Sequence, residues 1–495
     1  MDPFGSLPEH LLPPPPPGRA IAPAVLLAFA AGIGVVTDVA LSGAPGIGLV
    51  VAVVLASAAL IALTLPSRAS IVFLVAGVVT IAGVAVRASP VVTLIDLAIG
   101  VSLVALGAAF ALTGDPFTAT ARAYGVRAGS FLRWVPTSTA ALASPLVHGA
   151  GRSAALRRTL VLIVPVAGVL VLLLGSADPV FAHYLGAPLR AAPEELPIHA
   201  GRTVVAAIAF AALTTRALRP VDDTRASSPL RLPWDAGLEW IALVMAVTTV
   251  TAAFVLVQLA TMFGGAQHVL DQEGLTYAEY ARTGFWQMLA SAGIAGTVIA
   301  GAWIAGARRG SHTKRRAFTW AALILVATVV VILVSAFRRL ALYEEAYGFT
   351  WPRLLGHTAV VALGVLILCG GVAIATGHAR WLPVAGLGVL VVTALALTWV
   401  DPERFIAERN LDRYHRSGEV DIGELAGLSP DAAPTLVAAL PTLEACDRMA
   451  LHDRLAAEAE ALGNTEAGAS WNAARDRARA ALEGLPPIDD ITSDC

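Results

Sequence analysis

The 495-residue chain is 57% apolar and only 14% charged, with a mean hydropathy of +0.72. That is more hydrophobic surface than one water-soluble core can hide, so the chain belongs in a bilayer. A formal charge of −2 gives no global basic field and excludes nucleic acid as an expected partner.

Residues 1–19 form an acidic, proline-rich tail in which Pro13 to Pro17 favour an extended polyproline conformation; they do not read as a signal peptide. Apolar runs near 20–41, 46–65, 70–87 and 91–112 follow. Ser42-Gly43-Ala44-Pro45, Pro66-Ser67-Arg68 and Ala88-Ser89-Pro90 join them, compact breakers that predict four transmembrane helices over 20–112 in a hairpin-rich bundle. Residues 113–157 carry Arg122, Arg127, Arg133, Arg152 and Arg157 among Tyr124, Phe131 and Trp134, and predict a basic connector lying on the membrane surface. Runs near 158–176, 198–218, 236–263, 285–306, 317–338, 353–375 and 380–399 supply transmembrane helices 5–11 across 158–399. The expected fold class is an all-α membrane protein of about eleven transmembrane helices, with a small helical C-terminal domain over 400–483 and a flexible end at 484–495. The connector, the 216–231 loop with Arg216, Arg219, Arg225 and Arg231, and the 308–316 loop with Arg308, Arg309, Lys314, Arg315 and Arg316 all have the same parity in this count. They are therefore expected in the cytoplasm with the N-terminus, which puts the C-terminus outside. Gly293, Gly296, Gly364, Gly370, Gly371, Gly386 and Gly388 are expected to face neighbouring helices.

Three polar motifs interrupt this apolar background. In TYAEYARTGFW, Thr276 and Glu279 form a capping box, with Tyr277 and Tyr280 on one side of the turn and Glu279 and Arg282 on another. In RRLALYEEAYGFTWP, the residues Arg338, Arg339, Tyr343, Glu344, Glu345 and Tyr347 extend the ninth span; Gly348 stops it, and Thr350 with Pro352 starts the next helix. After the last span Asp401 caps a helix with Pro402 in its first turn, and Arg404, Glu408, Arg409, Asp412 and Arg413 form polar stripes. Aromatic belts and helix caps explain each motif singly. Their complementary Arg, Glu and Tyr chemistry predicts three walls of one outer-face binding site, in which Glu279, Glu344 or Glu345 pairs with Arg338, Arg339, Arg404 or Arg409. Asp38, Asp96, His199 and Arg202 fall inside apolar runs near their outer ends and are candidate intramembrane polar residues.

The motifs TYAEYARTGFW, ALYEEAYGFTWPRLL and RFIAERNLDRY, in that order, resemble the bacterial inner-membrane family called domain of unknown function 4173, close to its sister family 4153. The resemblance covers most of residues 20–440 and implies a multi-pass bacterial inner-membrane protein without implying a reaction. The chain holds no GxxxxGK[ST], GxSxG or HExxH, and Cys369, Cys446 and Cys495 show neither metal-ligand spacing nor a disulfide framework. No catalytic residue, cofactor or metal site is expected. The leading expectation is binding or sensing of an envelope component, a lipid headgroup or a protein partner, at the outer face, with membrane lipids as constant partners. Secondary transport of a small solute is the alternative, and a membrane-embedded enzyme acting on a lipid-linked substrate the second alternative.

Overall fold

The structure, a computed structural model, describes residues 21–127, 196–218, 237–263, 285–304, 312–463 and 468–486. All regular elements among them are helical. The chain divides into two compact units.

The first unit holds α1 (Pro23–Leu41), α2 (Ile47–Thr64), α3 (Arg68–Ile81), the part of α4 (Pro90–Ala109) from Leu97 onward, and α5 (Leu196–Ala217). Inside lipid, apolar side chains gain nothing by leaving the solvent, so helices associate where small residues let backbones approach. A Cβ on Gly34 of α1 would stand 2.5 Å from the Thr203 carbonyl oxygen of α5, and one on Gly77 of α3 would stand 2.7 Å from that of Gly100 on α4. Ser70 Oγ donates to the Gly107 carbonyl at 2.5 Å along the same α3–α4 crossing. The first amides of α2 are covered by the far end of the chain: Ile47 N–H donates to Trp471 O at 2.9 Å and Gly48 N–H to Ala469 O at 2.8 Å.

Two arginines expected in basic surface loops are instead buried at the end of α4. Arg216 donates to Ala109 O at 3.1 Å, and Arg127 donates to Thr113 O at 3.1 Å while its guanidinium stands 4.3 Å from the Phe110 ring centre. Both are 1% exposed. The carbonyls that finish a helix need donors, and here cations complement its dipole. Tyr124 Oη donates to Pro116 O at 2.7 Å, and burial with nearby Asp115 pushes its hydroxyl up to about 12 despite Arg127.

The second unit holds residues 86–96 with the start of α4, then α6 (Gly237–Phe263), α7 (Phe285–Ile304), α8 (His312–Tyr347), α9 (Trp351–Thr376), α10 (Leu382–Val400) and the C-terminal helices. At 36 residues, α8 is about 54 Å long. Lys314, Arg315 and Arg316 stand in its first turns and Arg338, Arg339, Glu344 and Glu345 in its last. The uncharged stretch between, Ala317 to Phe337, is about 31 Å long and matches a hydrocarbon core. Phe318, Ala322, Leu325, Val329, Ile332, Ala336 and Leu340 run along its buried stripe, packed against α6, α7 and α9.

Seven helices among the described residues are long and apolar enough to cross a membrane: α1, α2, α3 with its 3₁₀ extension to Ala85, α4, α8, α9 and α10. Apolar helices of this length mark a membrane protein. These seven do not confirm the expected eleven spans; α6 and α7 add apolar stretches over Ile241–Leu256 and Gln287–Trp303, and α5 carries His199, Arg202 and Arg216. The expected fifth span at 158–176 lies outside the described residues, as do 1–20, 128–157 and 487–495.

After α10 come α11 (Pro402–Ser417), α12 (Ile422–Ala426), α13 (Ala433–Ala439), α14 (Ala445–Gly463) and α15 (Ala473–Leu482). Ile406, Ala407, Leu411 and Tyr414 form the apolar stripe of α11 and share a core with Leu436, Leu440, Leu451, Leu455 and Leu482. Cys369 is free, whereas Cys446 is disulfide-bonded, a constraint its spacing in the sequence does not announce.

Candidate functional site: the turns beneath the C-terminal helices

Two turns of the second unit receive the C-terminal helices through buried polar groups. The first joins α8 to α9. Gly348 adopts φ +81°, and a Cβ there would collide with the Asn410 side chain, so a residue without one ends α8. Phe349 N–H then donates to Asn410 Oδ1 at 2.8 Å while Asn410 Nδ2 donates to Phe349 O at 2.8 Å, one side chain serving both main-chain polar groups of a residue. Trp351 Nε1 donates to Glu403 Oε1 at 2.7 Å, and Ser429 N–H donates to Glu403 Oε2 at 2.9 Å. Arg413 donates to Ala346 O at 2.8 Å and pairs with Glu419 at 2.7 Å. Tyr347, Phe349, Asn410, Arg413, Glu419 and Asp421 surround a cavity of about 20 Å³, room for a water molecule and not for a metabolite.

The second turn precedes α4. Arg87 pairs with Asp401, reaches Asp431 at 3.5 Å and donates from Nε to Thr398 O at 2.6 Å. Asp431 also accepts from Ala88 N–H at 2.7 Å and Ser89 N–H at 2.9 Å, anchoring the C-terminal helices on the positive start of α4. Asn472 Nδ2 donates to Arg87 O at 2.8 Å. Asp401 adopts φ +57°, and its side chain accepts from Arg404 N–H to cap α11. Burial first, then Asp431 beside it, raises the Asp401 carboxyl above its ordinary range, against the pull of Arg87. The Asp431 side chain is fully enclosed, and breaking such a pair costs roughly 3–5 kcal/mol because it strands a charge.

Around the first turn, Arg353 lies 4.3 Å over the Tyr343 ring, Tyr343 and Tyr347 rings are 4.9 Å apart, and Arg409 lies 5.3 Å from the Phe405 ring centre. Arg338, Glu345, Tyr347, Arg404, Glu408, Arg409 and Asp412 are exposed. Arg404 pairs with Glu408 at 2.7 Å within α11. Arg339 is half-buried. The structure thus brings 338–347 and 404–413 together, through Arg413 and Asn410. Tyr277, Glu279, Tyr280 and Arg282 lie outside the described residues.

The match to a family model described as Domain of unknown function (DUF4153) covers residues 50–439, well over half of the chain. The chain belongs to the DUF4153 family. The motifs name 4173 first and 4153 as its sister; the family shown is the sister. The DUF4153 match takes in Arg87, Asp96, Glu344, Asp401, Asn410 and Asp431 and stops before α14 and α15. No curated protein and no solved structure matches this DUF4153 member.

Glu344 does not pair with the expected arginines. It lies four residues beyond buried Leu340 on the stripe of α8 that faces α9, and its Oε2 stands 2.8 Å from His357 Nε2, whereas Arg338 and Glu345 project from the other side. In the first unit Asp38 Oδ2 stands 2.8 Å from His199 Nδ1, and Arg202 donates to Leu41 O at 2.8 Å. Asp96 accepts from Thr398 Oγ1 at 3.0 Å. Sequence reasoning picked the solvated stripe of α11 and missed Glu403 and Asn410, although both interrupt the apolar stripe of an amphipathic helix, which is a readable sign of a buried polar contact.

Proposed function

We propose that this is a multi-pass bacterial inner-membrane protein whose C-terminal helices stand outside the cytoplasm and bind or sense an envelope component, with an anionic lipid headgroup as the favoured ligand. The observation that carries the proposal is the exposed surface of arginines and aromatic rings at the ends of the apolar helices, where Glu345, Glu408 and Asp412 are exposed as well. Arg338 and Arg409 supply the guanidinium groups not paired within α11. Arg338, Arg404 and Arg409 join Tyr343, Tyr347 and Phe405 there, where α8 leaves its 31 Å apolar stretch, about the level of lipid headgroups. Guanidinium groups suit phosphate because they donate in a planar fork. The disulfide at Cys446 supports an oxidising compartment for this side. The unbroken α8 supports sensing, since it runs from the turn that holds the C-terminal helices to the basic cluster at 314–316.

The test is native mass spectrometry of the full chain released from nanodiscs of mixed zwitterionic and anionic phospholipid. Removing three arginines near a surface at roughly 1 kcal/mol each predicts at least a tenfold drop in retained anionic lipid for Arg338→Gln/Arg404→Gln/Arg409→Gln. Unchanged retention defeats the headgroup proposal. Secondary transport is the second reading, supported by the carboxylates Asp38 and Asp96 buried within apolar helices.

A further inference from the structure

Ser89, Thr93 and Asp96 lie at i, i+4 and i+7 around the start of α4 and share one face; all three are buried. Asp96 is fully enclosed, and its Oδ1 has no hydrogen-bond partner among the described residues; neither has Ser89 Oγ. The other carboxyl oxygen, Oδ2, is 3.0 Å from Thr398 Oγ1 on α10. Thr398 has one hydroxyl hydrogen and two acceptors within reach, Asp96 Oδ2 and its own Ala394 O at 3.1 Å. Thr37, Thr64, Thr80 and Thr214 all donate back to the carbonyl four residues earlier. If Thr398 does the same, the hydrogen between it and Asp96 comes from Asp96. Both contacts are then satisfied, with Asp96 a carboxylic acid. As a carboxylate, Asp96 draws the Thr398 hydrogen away from Ala394 and keeps Oδ1 bare in an apolar setting, a costly state.

The surrounding charges point the same way. Asp96 is the only ionisable residue on α4, and α10 has none. At the neighbouring turn stand Asp401 and Asp431 with Arg87 and Arg477: Arg87 is engaged by both carboxylates while its Nε donates to Thr398 O, and Arg477 lies 4.0 Å from Asp431 Oδ1. The two cations at this turn already face two carboxylates, so a third carboxylate would stand in excess of them.

We propose that Asp96 is a proton-binding site inside the apolar region, loading and releasing a proton reversibly with Thr398 as its switchable hydrogen-bond partner. Thr398 O is also the seat of Arg87, so the occupied and empty states differ beside the contact that holds the C-terminal helices. The proposal does not rest on headgroup binding.

Infrared difference spectra of the full chain in nanodiscs, titrated from about pH 9 to about pH 5, test it, a window that brackets the values reached by buried carboxyls. The expected result is a carboxylic-acid carbonyl band that grows on acidification, is missing in Asp96→Asn and moves to higher frequency in Thr398→Val, which removes its partner. The Arg338/Arg404/Arg409 triple variant should keep the band, which separates this test from the headgroup proposal. A band undiminished in Asp96→Asn, or the absence of any titrating band in the parent chain, overturns the assignment. If Asp96→Asn does not fold, Thr398→Val decides alone: a band that stays in place refutes it.

Discussion

Glu458, half-buried on α14, has its carboxyl raised from the ordinary 4.5 to about 6 by burial, with Glu403 adding to the rise and Arg454 opposing it. The folded state therefore holds this proton more tightly than the unfolded chain does. The stability gained by protonation is complete below about pH 4.5 and is lost as pH rises through about 6, so at neutral pH the ionised group works against the fold. Glu458→Gln should melt higher than the parent at pH 7.5, with the gap closing near pH 4; thermal melts at the two pH values check this, and an equal gap at both refutes it. Single residues also show what sequence can disclose. Asp401, Pro402 and Gly348 act on amides and carbonyls a few positions away, and their roles as cap, first-turn residue and stop were legible in the order of the chain. Arg87 meets Asp431 across 344 positions, and no local pattern records such a meeting.

Helices were legible from apolar runs, but which of their glycines touch a neighbour was not. A run of small residues shows that close packing is available without fixing which side of the helix faces the partner. Gly296 and Gly371 do meet side chains of Ile367 and Val326, each at 3.1 Å from an added Cβ, while Gly293, Gly370 and Gly388 meet nothing within 4 Å. The tight crossings lie elsewhere, at Gly34, Gly77 and Gly100. Leucine at Gly77 or Gly100 should lower the melting temperature of the purified protein by several degrees, since backbone cannot yield as a flexible side chain can; leucine at Gly293 should leave it within about a degree. Equal losses at all three positions would contradict this assignment of contacts.

Across the whole molecule, the polarity of α8 sets the expected orientation. Exposed Lys314, Arg315 and Arg316 begin the helix, and the turn bearing the C-terminal helices follows its end. If positive charge is retained in the cytoplasm, as we propose, α11 is expected outside. With single cysteines placed at Thr313 and at Asp412, an impermeant maleimide on intact cells should label position 412 and spare 313; the reverse pattern inverts the topology. Order of synthesis gives the backbone contacts at the start of α2 a further meaning. The carbonyls of Ala469 and Trp471, which accept from Ile47 and Gly48, are translated about 420 residues after those amides. At 5–20 residues per second the ribosome needs roughly 20 to 85 s to cover that distance. The first hairpin must therefore enter the bilayer with those two amides still wetted by water, and it acquires its final cap only once residues 469–471 have been made.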